Sequence, residues 1–311
     1  MSLGIRPTVD FAFKRLLGSP EHTAITVHFL NAVLECAPRI EHVEILNPLL
    51  SPDYDDDKLA ILDVLAIDAT GRQFNIEMQT SLPAGLTQRL VYYASSLYVG
   101  QLSEGESYAS LRPAISICVL ERPLLADTSN LHSDFRLRST DGRTFTDDLQ
   151  IHLVELSKSQ ANEHNMKQVS ALEQWSYFLR NADRYSASEL RNILAEPAFE
   201  EAIGVLEMIA RNPEQRLAYD TRLKFQRDEA ARLEFARSEG IQEGRQAGRQ
   251  EGEQIGREKG RSEGESIGKI QLLEELLGIP QTNLQEFEKL NAPELIARLE
   301  DLQSQLRKRK S

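Results

Sequence analysis

The sequence predicts an α/β fold followed by a helical C-terminal extension. Two strand-like runs, at 58–68 and 73–79, flank a short turn. A helical stretch at 86–102 then leads to a further apolar run at 113–120, and beyond residue 160 the chain is rich in charged, helix-forming residues. Because a strand that is reached through a helix usually pairs in parallel, we expect the 113–120 run to join the sheet in parallel.

Two helices and one strand precede these runs. Thr8 or Asp10 can cap the first helix, and Gly18 ends it. The Ser-Pro-Glu sequence at 19–21 starts the second helix, because it supplies a capping hydroxyl, a proline at the first helical position and an acid in the first turn. Residues 40–50 alternate as a strand does. The predicted core order is helix, three strands, helix and strand.

The chain changes character after the core. An Asp-Gly pair at 141–142 predicts a hairpin over 135–146, and a short strand is expected at 151–156. Residues 160–235 are expected to form helices, with Trp175 as an anchor of their core.

Glycine recurs at every fourth position from Gly240 to Gly268. On a helix these eight glycines cost about 8 kcal/mol relative to alanine, whereas ion pairs four residues apart return only ~0.2–0.5 kcal/mol each. The segment is therefore either flexible or an arm in which two backbones approach closely along the glycines. We favour a partly ordered linker or a self-association arm.

A final helix is predicted at the end of the chain. Asn291 and Glu294 have the spacing of a helix-capping pair. The leucines that follow have coiled-coil spacing: Leu295, Leu299, Leu302 and Leu306.

Composition excludes several classes of protein. The 311 residues have an ordinary globular balance, with 41% hydrophobic and 27% charged residues. No run approaches the ~20 apolar residues of a membrane span, and the N-terminus lacks the apolar segment of a signal peptide, so we expect a cytoplasmic protein. Cys36 and Cys118 are too few for a disulfide framework or a zinc site. The net charge of −12 argues against a nucleic-acid partner unless local cations offset it.

Asp63 and Glu77 form the candidate site. Thr70, in the middle of the turn, is the midpoint of their numbers, so a symmetric hairpin places the two acids opposite each other. Like charges so placed destabilise a ladder. A divalent cation relieves the repulsion, because Mg²⁺ binds one or two carboxylates together with phosphate oxygens and water.

Other interpretations stay open at this point. An acid in a strand is commonly solvated, or paired with a lysine such as Lys58. Glycosidases also use two acids, but nothing in the sequence suggests the aromatic platforms of a sugar site, so a phosphodiester substrate fits better. The acidic run at 53–57 lacks the spacing of a calcium loop and is expected to be a solvated loop.

Several segments resemble one bacterial family. They are Ile-Leu-Asp-Val at 61–64, Asn-Ile-Glu-Met-Gln at 75–79, Arg89 with the tyrosines that follow it, and Asp-Phe-Ala-Phe-Lys at 10–14. Together they are similar to the recombination-promoting nuclease/transposase family of the PD-(D/E)XK nuclease superfamily, over about residues 5–160. The resemblance implies a nuclease-like core with the helix, three-strand, helix and strand order.

The resemblance also implies roles by position. Asp63 and Glu77 match the two metal-binding acids of the family, and the backbone carbonyl of Met78 would be a further ligand. Gln79 stands where the superfamily has lysine. Glutamine can orient a water by hydrogen bonds, but it brings no positive charge.

Activity would then rely more on the metal ion, or Lys14 or Lys58 would supply the missing charge. Arg89 and Tyr93 lie four residues apart on the next helix and suit a phosphate clamp, whereas Tyr92 is expected in the core.

Two further acids rank lower. Glu21 resembles an acid of the first helix that some superfamily members add to the metal site, but a favourable helix-start charge explains it better. Asp10 is either a helix cap or part of the site.

The sequence thus predicts a Mg²⁺-dependent DNA endonuclease, with Mn²⁺ as an alternative ion, that the family links to recombination or mobile elements. The competing hypothesis is a catalytically weak DNA- or protein-binding module that acts through its helical tail. The expected partners are DNA and further copies of the chain, bound through the tail. The expected divisions are a nuclease-like domain at 1–160, a helical region at 161–236, the glycine linker or arm at 237–270, and a helical tail at 271–311.

Overall fold

The computed structural model describes residues 2–35, 39–46, 63–287 and 289–309. The chain forms two compact units, Met1–Ala230 and Ala231–Ser311. The first is a mixed α/β unit and the second is helical, which confirms the predicted fold class. None of the helices within the described residues is long and apolar enough to cross a membrane.

The secondary structure follows the predicted order. The strands are β1 (Val43–Ile45), β2 (Val64–Asp68), β3 (Gln73–Gln79), β4 (Ala114–Leu120), β5 (His132–Arg138) and β6 (Thr144–Glu155). The helices of the first unit are α1 (Asp10–Leu17), α2 (Thr23–Leu34), α3 (Leu86–Val99), α4 (Ala171–Asn181), α5 (Ala187–Ile193) and α6 (Pro197–Arg211). Helix α7 (Pro213–Leu277) begins in the first unit and ends in the second, which also contains α8 (Leu284–Phe287) and α9 (Ala292–Arg309).

The strands form one six-stranded mixed sheet in the order β1-β2-β3-β4-β6-β5. β4 pairs in parallel with both β3 and β6, and the other pairs are antiparallel. The predicted parallel pairing of the 113–120 run is therefore confirmed. Its cause is the crossover through α3, which returns the chain to the edge where β3 began.

The two faces of the sheet are covered unequally. One face, with Phe74, Ile76 and Ile117, is fully buried in the main core. Trp175 belongs to that core and is 1% exposed, as predicted. The opposite face packs Cys118 and its neighbours against α3 in a much smaller cluster. Polar side chains of β3 share this second face, which positions the candidate site.

The helix starts near the N-terminus are partly as predicted. Ser19 Oγ accepts a hydrogen bond from the backbone N–H of Glu21, and a 3₁₀ turn over Pro20–His22 leads into α2. The predicted cap of α1 is wrong, because Val9 holds that position and no side chain caps the helix. Asp10 is instead the first residue of the helix, and the Thr8 hydroxyl donates to Glu121.

The hairpin region after the core also differs from the prediction. β6 is a single strand that includes both the second arm of the hairpin and the short strand expected at 151–156. Two aspartates inside β6 are the reason why the sequence predicted two separate strands. Asp147 Oδ1 lies 2.6 Å from Arg136 Nη1, and Asp148 Oδ2 accepts from Thr146 Oγ1 at 2.7 Å. Both aspartates have partners on the sheet, and β6 stays continuous there, although its register with β5 shifts between Gln150 and Thr146.

Helix α3 ends at Val99, three residues before the predicted end. The placement of Tyr92 in the core is wrong, because its side chain is 55% exposed. Leu86, Leu90 and Ala94 form the buried stripe of α3, and a residue two positions after Leu90 points to the other side of a helix. The first part of the predicted second strand, 58–62, lies outside the described residues.

The second unit is a helical hairpin. Leu295 and Leu302 of α9 are buried against Ile270 and Leu277 of α7, with Phe287 completing the cluster. The predicted cap of the last helix is confirmed by two reciprocal hydrogen bonds between Asn291 and Glu294. The leucines at coiled-coil spacing therefore pack within the chain.

Candidate active site

The hairpin of β2 and β3 brings Asp63 and Glu77 together. Val64 pairs with Ile76, so the next step along the ladder places Asp63 beside Glu77, as the symmetric turn predicted. Asp63 directly precedes β2, and its Oδ2 accepts the backbone N–H of Met78 at 3.0 Å. This hydrogen bond fixes one carboxylate oxygen of Asp63 against β3.

Glu77 lies on the buried face of β3, and its side chain is 4% exposed. Asn75 Nδ2 donates to its Oε1 at 3.1 Å, and an Nη atom of Arg89 is 3.9 Å from its Oε2. Burial raises the pKa of Glu77 from its ordinary 4.5 to about 7, against the hydrogen bond from Asn75, and the charge of Asp63 raises it further. The carboxylate therefore lacks full compensation in the protein alone.

Asp63 has a cation of its own. Lys14 Nζ lies 3.2 Å from Asp63 Oδ1 and 3.0 Å from Asp10 Oδ1. Burial raises the pKa of Asp63, and the nearby Lys14 charge opposes this rise without cancelling it. The protein therefore disfavours the ionised form of both acids. A bound cation would favour that ionised form.

Helix α1 determines where Lys14 lies. Its apolar stripe, including Phe13 and Leu16, is fully buried in the main core. Asp10 and Lys14 occupy the partly exposed side, four residues apart, and form an ion pair there. The backbone carbonyl of Lys14 accepts the N–H of Gly18, which closes the helix just beyond this point.

Arg89 and Tyr93 lie together on α3. The Arg89 guanidinium is 5.8 Å from the centre of the Tyr93 ring, so the shared face predicted from their spacing is present. About a third of the Arg89 side chain, 35%, is exposed. Burial raises the pKa of the Tyr93 hydroxyl, and the Glu77 charge adds to this, so Tyr93 is a neutral hydrogen-bonding group at neutral pH.

The backbone of Met78 faces Asp63. Gln73 and Gln79 direct their backbone groups to the β4 side of the strand, as their hydrogen bonds to Pro113 and Glu121 show. Alternation along β3 turns the N–H and carbonyl of Met78 to the opposite side. The Met78 carbonyl therefore lies on the same edge as the Asp63 carboxylate. The Gln79 side chain is half-buried and hydrogen-bonds Glu77.

Polar atoms without partners concentrate at this site. Within the described part of the chain, only four buried side-chain polar atoms lack a hydrogen-bond partner, and three of them are Asn75 Oδ1, Ser116 Oγ and Arg89 Nε. Asn75 and Ser116 are register partners on β3 and β4, next to Glu77. Buried polar groups are normally satisfied, so this concentration is typical of a site that receives a further ligand.

The donor set fits a hard divalent cation. Two carboxylates and a backbone carbonyl are oxygen ligands of the kind that Mg²⁺ and Mn²⁺ prefer. Over the described ranges, no group of three or more His, Cys, Asp or Glu side chains is placed to hold a metal ion. A cation here would therefore complete its shell with water or substrate oxygens.

The remaining sequence-predicted residues divide into three cases. Asp10 joins the site through Lys14, and Arg222 of α7 also lies 4.0 Å from it. Glu21 sits in the 3₁₀ turn, and among the described residues no hydrogen bond or ion pair joins it to Asp63 or Glu77. Lys58 and the acidic run at 53–57 lie outside the described residues.

Sequence reasoning missed two supports of the site. Asn75 could have been identified as the partner of Glu77, because it lies two residues earlier on the same face of the strand. Gln226 donates to Thr80 Oγ1 at 2.9 Å and so braces the chain just after Gln79. No local signal connects residues so far apart in sequence.

The mixed sheet and its paired acids, each beside a cation, define a class of protein: a nuclease-type fold with a carboxylate site at the end of a central hairpin. Residues 7–236 match the PD-(D/E)XK nuclease family transposases. The chain belongs to this family. No curated protein and no solved structure matches the chain.

Proposed function

We propose that the chain is a divalent-metal-dependent DNA endonuclease that hydrolyses phosphodiester bonds. The observation that carries this proposal is the pair of the buried Glu77 and the largely buried Asp63, in which burial and the charge of Asp63 raise the pKa of Glu77 to about 7. Buried like charges are costly in a purely structural role. They are useful where a cation binds, and such perturbed acids cluster at functional sites. The family supplies the link to mobile elements.

The site residues have separate tasks in this proposal. Asp63, Glu77 and the Met78 carbonyl would hold Mg²⁺, or Mn²⁺ in its place. When bound, the ion lowers the pKa of a water and neutralises charge on the phosphate. Gln79 would orient the attacking water through its amide.

Arg89 and Tyr93 would hold the substrate. The guanidinium of Arg89 is partly exposed and has an unpartnered buried Nε, so it retains donor capacity for a phosphate oxygen. Tyr93 supports the guanidinium through its ring and can donate from its hydroxyl. DNA binding by a chain with net charge −12 then depends on such local cations and on the bound metal ion.

The tail would bind a second copy of the chain. The glycines from Gly240 to Gly268 lie on helix α7, and a Cβ added at any of them would meet no atom within 4 Å apart from its chain neighbours and the adjacent backbone of the helix. Five of the eight residues that follow these glycines are basic, and four of the eight that precede them are acidic. When two parallel helices pair along such a row, opposite flanks face each other, as in parallel coiled coils. Basic and acidic flanks would then meet.

A plasmid assay tests the nuclease proposal. We expect nicking of supercoiled DNA with Mg²⁺ or Mn²⁺ and none with chelator. Asp63→Asn and Glu77→Gln should abolish it, whereas Glu44→Gln, on the exposed side of β1, should not. Unchanged nicking in both acid variants would contradict the site. A chain that binds DNA equally well with and without both acids, and never cleaves, would favour the binding-module hypothesis.

A further inference from the structure

Lys14 lies between two carboxylates at the edge of the site. Its Nζ is 3.2 Å from Asp63 Oδ1 and 3.0 Å from Asp10 Oδ1. The buried side of α1 fixes the helix, so the ammonium group has a defined position. It is not sealed there, because 34% of the side chain is exposed. A group arriving from solvent can therefore reach the Lys14 charge.

The charges around the acid pair are divided between two sides. Arg89 approaches Glu77 at 3.9 Å, and Lys14 approaches Asp63 at 3.2 Å. Gln79, on the strand itself, is neutral. Among the described residues, Lys14 is the cation that forms an ion pair with Asp63.

The ligands at the site are enough for a single metal ion. The two carboxylates and the Met78 carbonyl can hold one ion, and over the described residues no group of three or more His, Cys, Asp or Glu side chains is placed to hold a further one. Many phosphodiesterases use two ions, one on each side of the reacting phosphate, to stabilise the attacking and leaving oxygens. In this chain, Lys14 supplies a positive charge 3.2 Å from Asp63 Oδ1, at the edge of the acid pair.

We infer that the ammonium group of Lys14 takes the place of a second metal ion, so that the enzyme works with a single bound divalent cation. This inference rests on the proposed nuclease function. Lys14 would contact a phosphate oxygen as a fixed point charge. Asp10 acts as its positioning residue, and Asp10 is itself held near Arg222 at 4.0 Å.

This role has a signature that a structural ion pair lacks. An ammonium next to the metal ligand Asp63 repels a bound divalent cation. Removing the Lys14 charge should therefore strengthen metal binding and weaken cleavage at the same time. A residue that only maintains the fold would weaken both, or neither.

The experiment compares the full-length chain with Lys14→Met and Lys14→Arg. Arg15→Met is the matched control, because Arg15 is the neighbouring cation on α1 and lies 5.7 Å from the Phe11 ring. Mn²⁺ binding is titrated by electron paramagnetic resonance of the free ion, and nicking of supercoiled plasmid is measured with the same ion. Melting temperatures check that each variant is folded.

We expect the unmodified chain to bind one Mn²⁺ at the site, and Asp63→Asn to lose it. Lys14→Met should bind Mn²⁺ about tenfold more tightly and nick about 100-fold more slowly. Lys14→Arg keeps the charge and should nick at least about tenfold faster than Lys14→Met. Arg15→Met should match the unmodified chain in both measurements.

Three results would overturn the inference. Lys14→Met could nick within about threefold of the unmodified chain; it could lose Mn²⁺ affinity together with activity; or the unmodified chain could bind a second Mn²⁺ that Asp63→Asn removes. If Lys14→Met does not fold, Lys14→Arg should still nick within about tenfold of the unmodified chain; a larger loss, or a second Mn²⁺ at the site of the unmodified chain, would overturn the inference. Absence of nicking by the unmodified chain with every cation would instead refute the nuclease function itself, and the role of Lys14 with it.

Discussion

Replacing Glu77 by glutamine tests the electrostatics of the site directly. The folded state holds a proton on Glu77 up to about pH 7, whereas the ordinary pKa is 4.5. Between these values the native state binds more protons than the unfolded state, so the free energy of unfolding falls as pH rises. The difference between the two pKa values corresponds to about 3 kcal/mol, since each pH unit is worth about 1.4 kcal/mol. A glutamine side chain cannot ionise, so the Glu77→Gln variant should escape this loss.

The assay is denaturant unfolding in chelator at several pH values from 4.5 to 8. Fluorescence of Trp175 reports the transition, because this tryptophan is buried in the core of the first unit. We expect Glu77→Gln to gain stability over the unmodified chain as pH rises, by up to about 3 kcal/mol at pH 8. The difference in unfolding free energy between the variant and the unmodified chain removes the contribution of the groups that titrate in both.

Metal supplies the second half of this test. Saturating Mg²⁺ at about 100 times its dissociation constant should stabilise the unmodified chain by about 2.7 kcal/mol at pH 8. Glu77→Gln should gain little, and Glu44→Gln should behave as the unmodified chain does. A stability difference between Glu77→Gln and the unmodified chain that stays constant from pH 4.5 to 8 would refute the reasoning.

The other predictions concern two further residues of the site, the C-terminal tail and a buried histidine. Asp63→Asn should be at least as stable as the metal-free chain at pH 8, because burial raises the pKa of Asp63. The variant should lose both Mg²⁺-dependent thermal stabilisation and nicking. Nicking at the original rate would contradict the assignment of Asp63 to the active site. Gln79→Lys should retain or raise the nicking rate and Gln79→Ala should lower it, and an unimpaired alanine variant would show that Gln79 does not position water. Removing residues 238–311 should leave a folded, metal-binding chain with fewer copies per particle by light scattering, whereas an unchanged number of copies would exclude the tail as an assembly arm. Burial lowers the pKa of His152 to about 3, so acid should destabilise the protein below about pH 6.5 as the unfolded imidazole gains its proton; His152→Phe should reduce this slope in acid denaturation, and an equal slope would contradict it.

Local patterns were sufficient to predict the centre of the fold. The turn around Thr70 sets the register of β2 and β3, because a tight hairpin leaves few alternatives once the turn is known. The same turn predicted the approach of Asp63 and Glu77. The helix between β3 and β4 predicted parallel pairing through the geometry of crossovers. These features depend on residues that are close in sequence.

Long-range features were not predictable in the same way. The sequence allowed either Lys14 or Lys58 near the acids, and only the packing of α1 on the core brings Lys14 to Asp63. The prediction for Tyr92 was wrong because the sequence does not show which of two adjacent tyrosines faces the core. In the structure, the buried side of α3 is the side of Leu90. Support of the site by Gln226 depends on tertiary packing across 146 residues.

The order in which the site can assemble follows from the spacing of its parts. The two acids belong to one short hairpin, so they meet as soon as β2 and β3 pair, whereas Lys14 reaches Asp63 only when a loop of 49 residues closes. Closing the longer loop costs about 1 kcal/mol more in chain entropy. A folding chain would therefore experience the repulsion between the acids before the relief from Lys14. The pKa of Glu77 is 4.5 before burial and about 7 in the folded chain, so we expect refolding to quicken as pH falls from 7 to 4.5, because protonation of Glu77 removes the early repulsion.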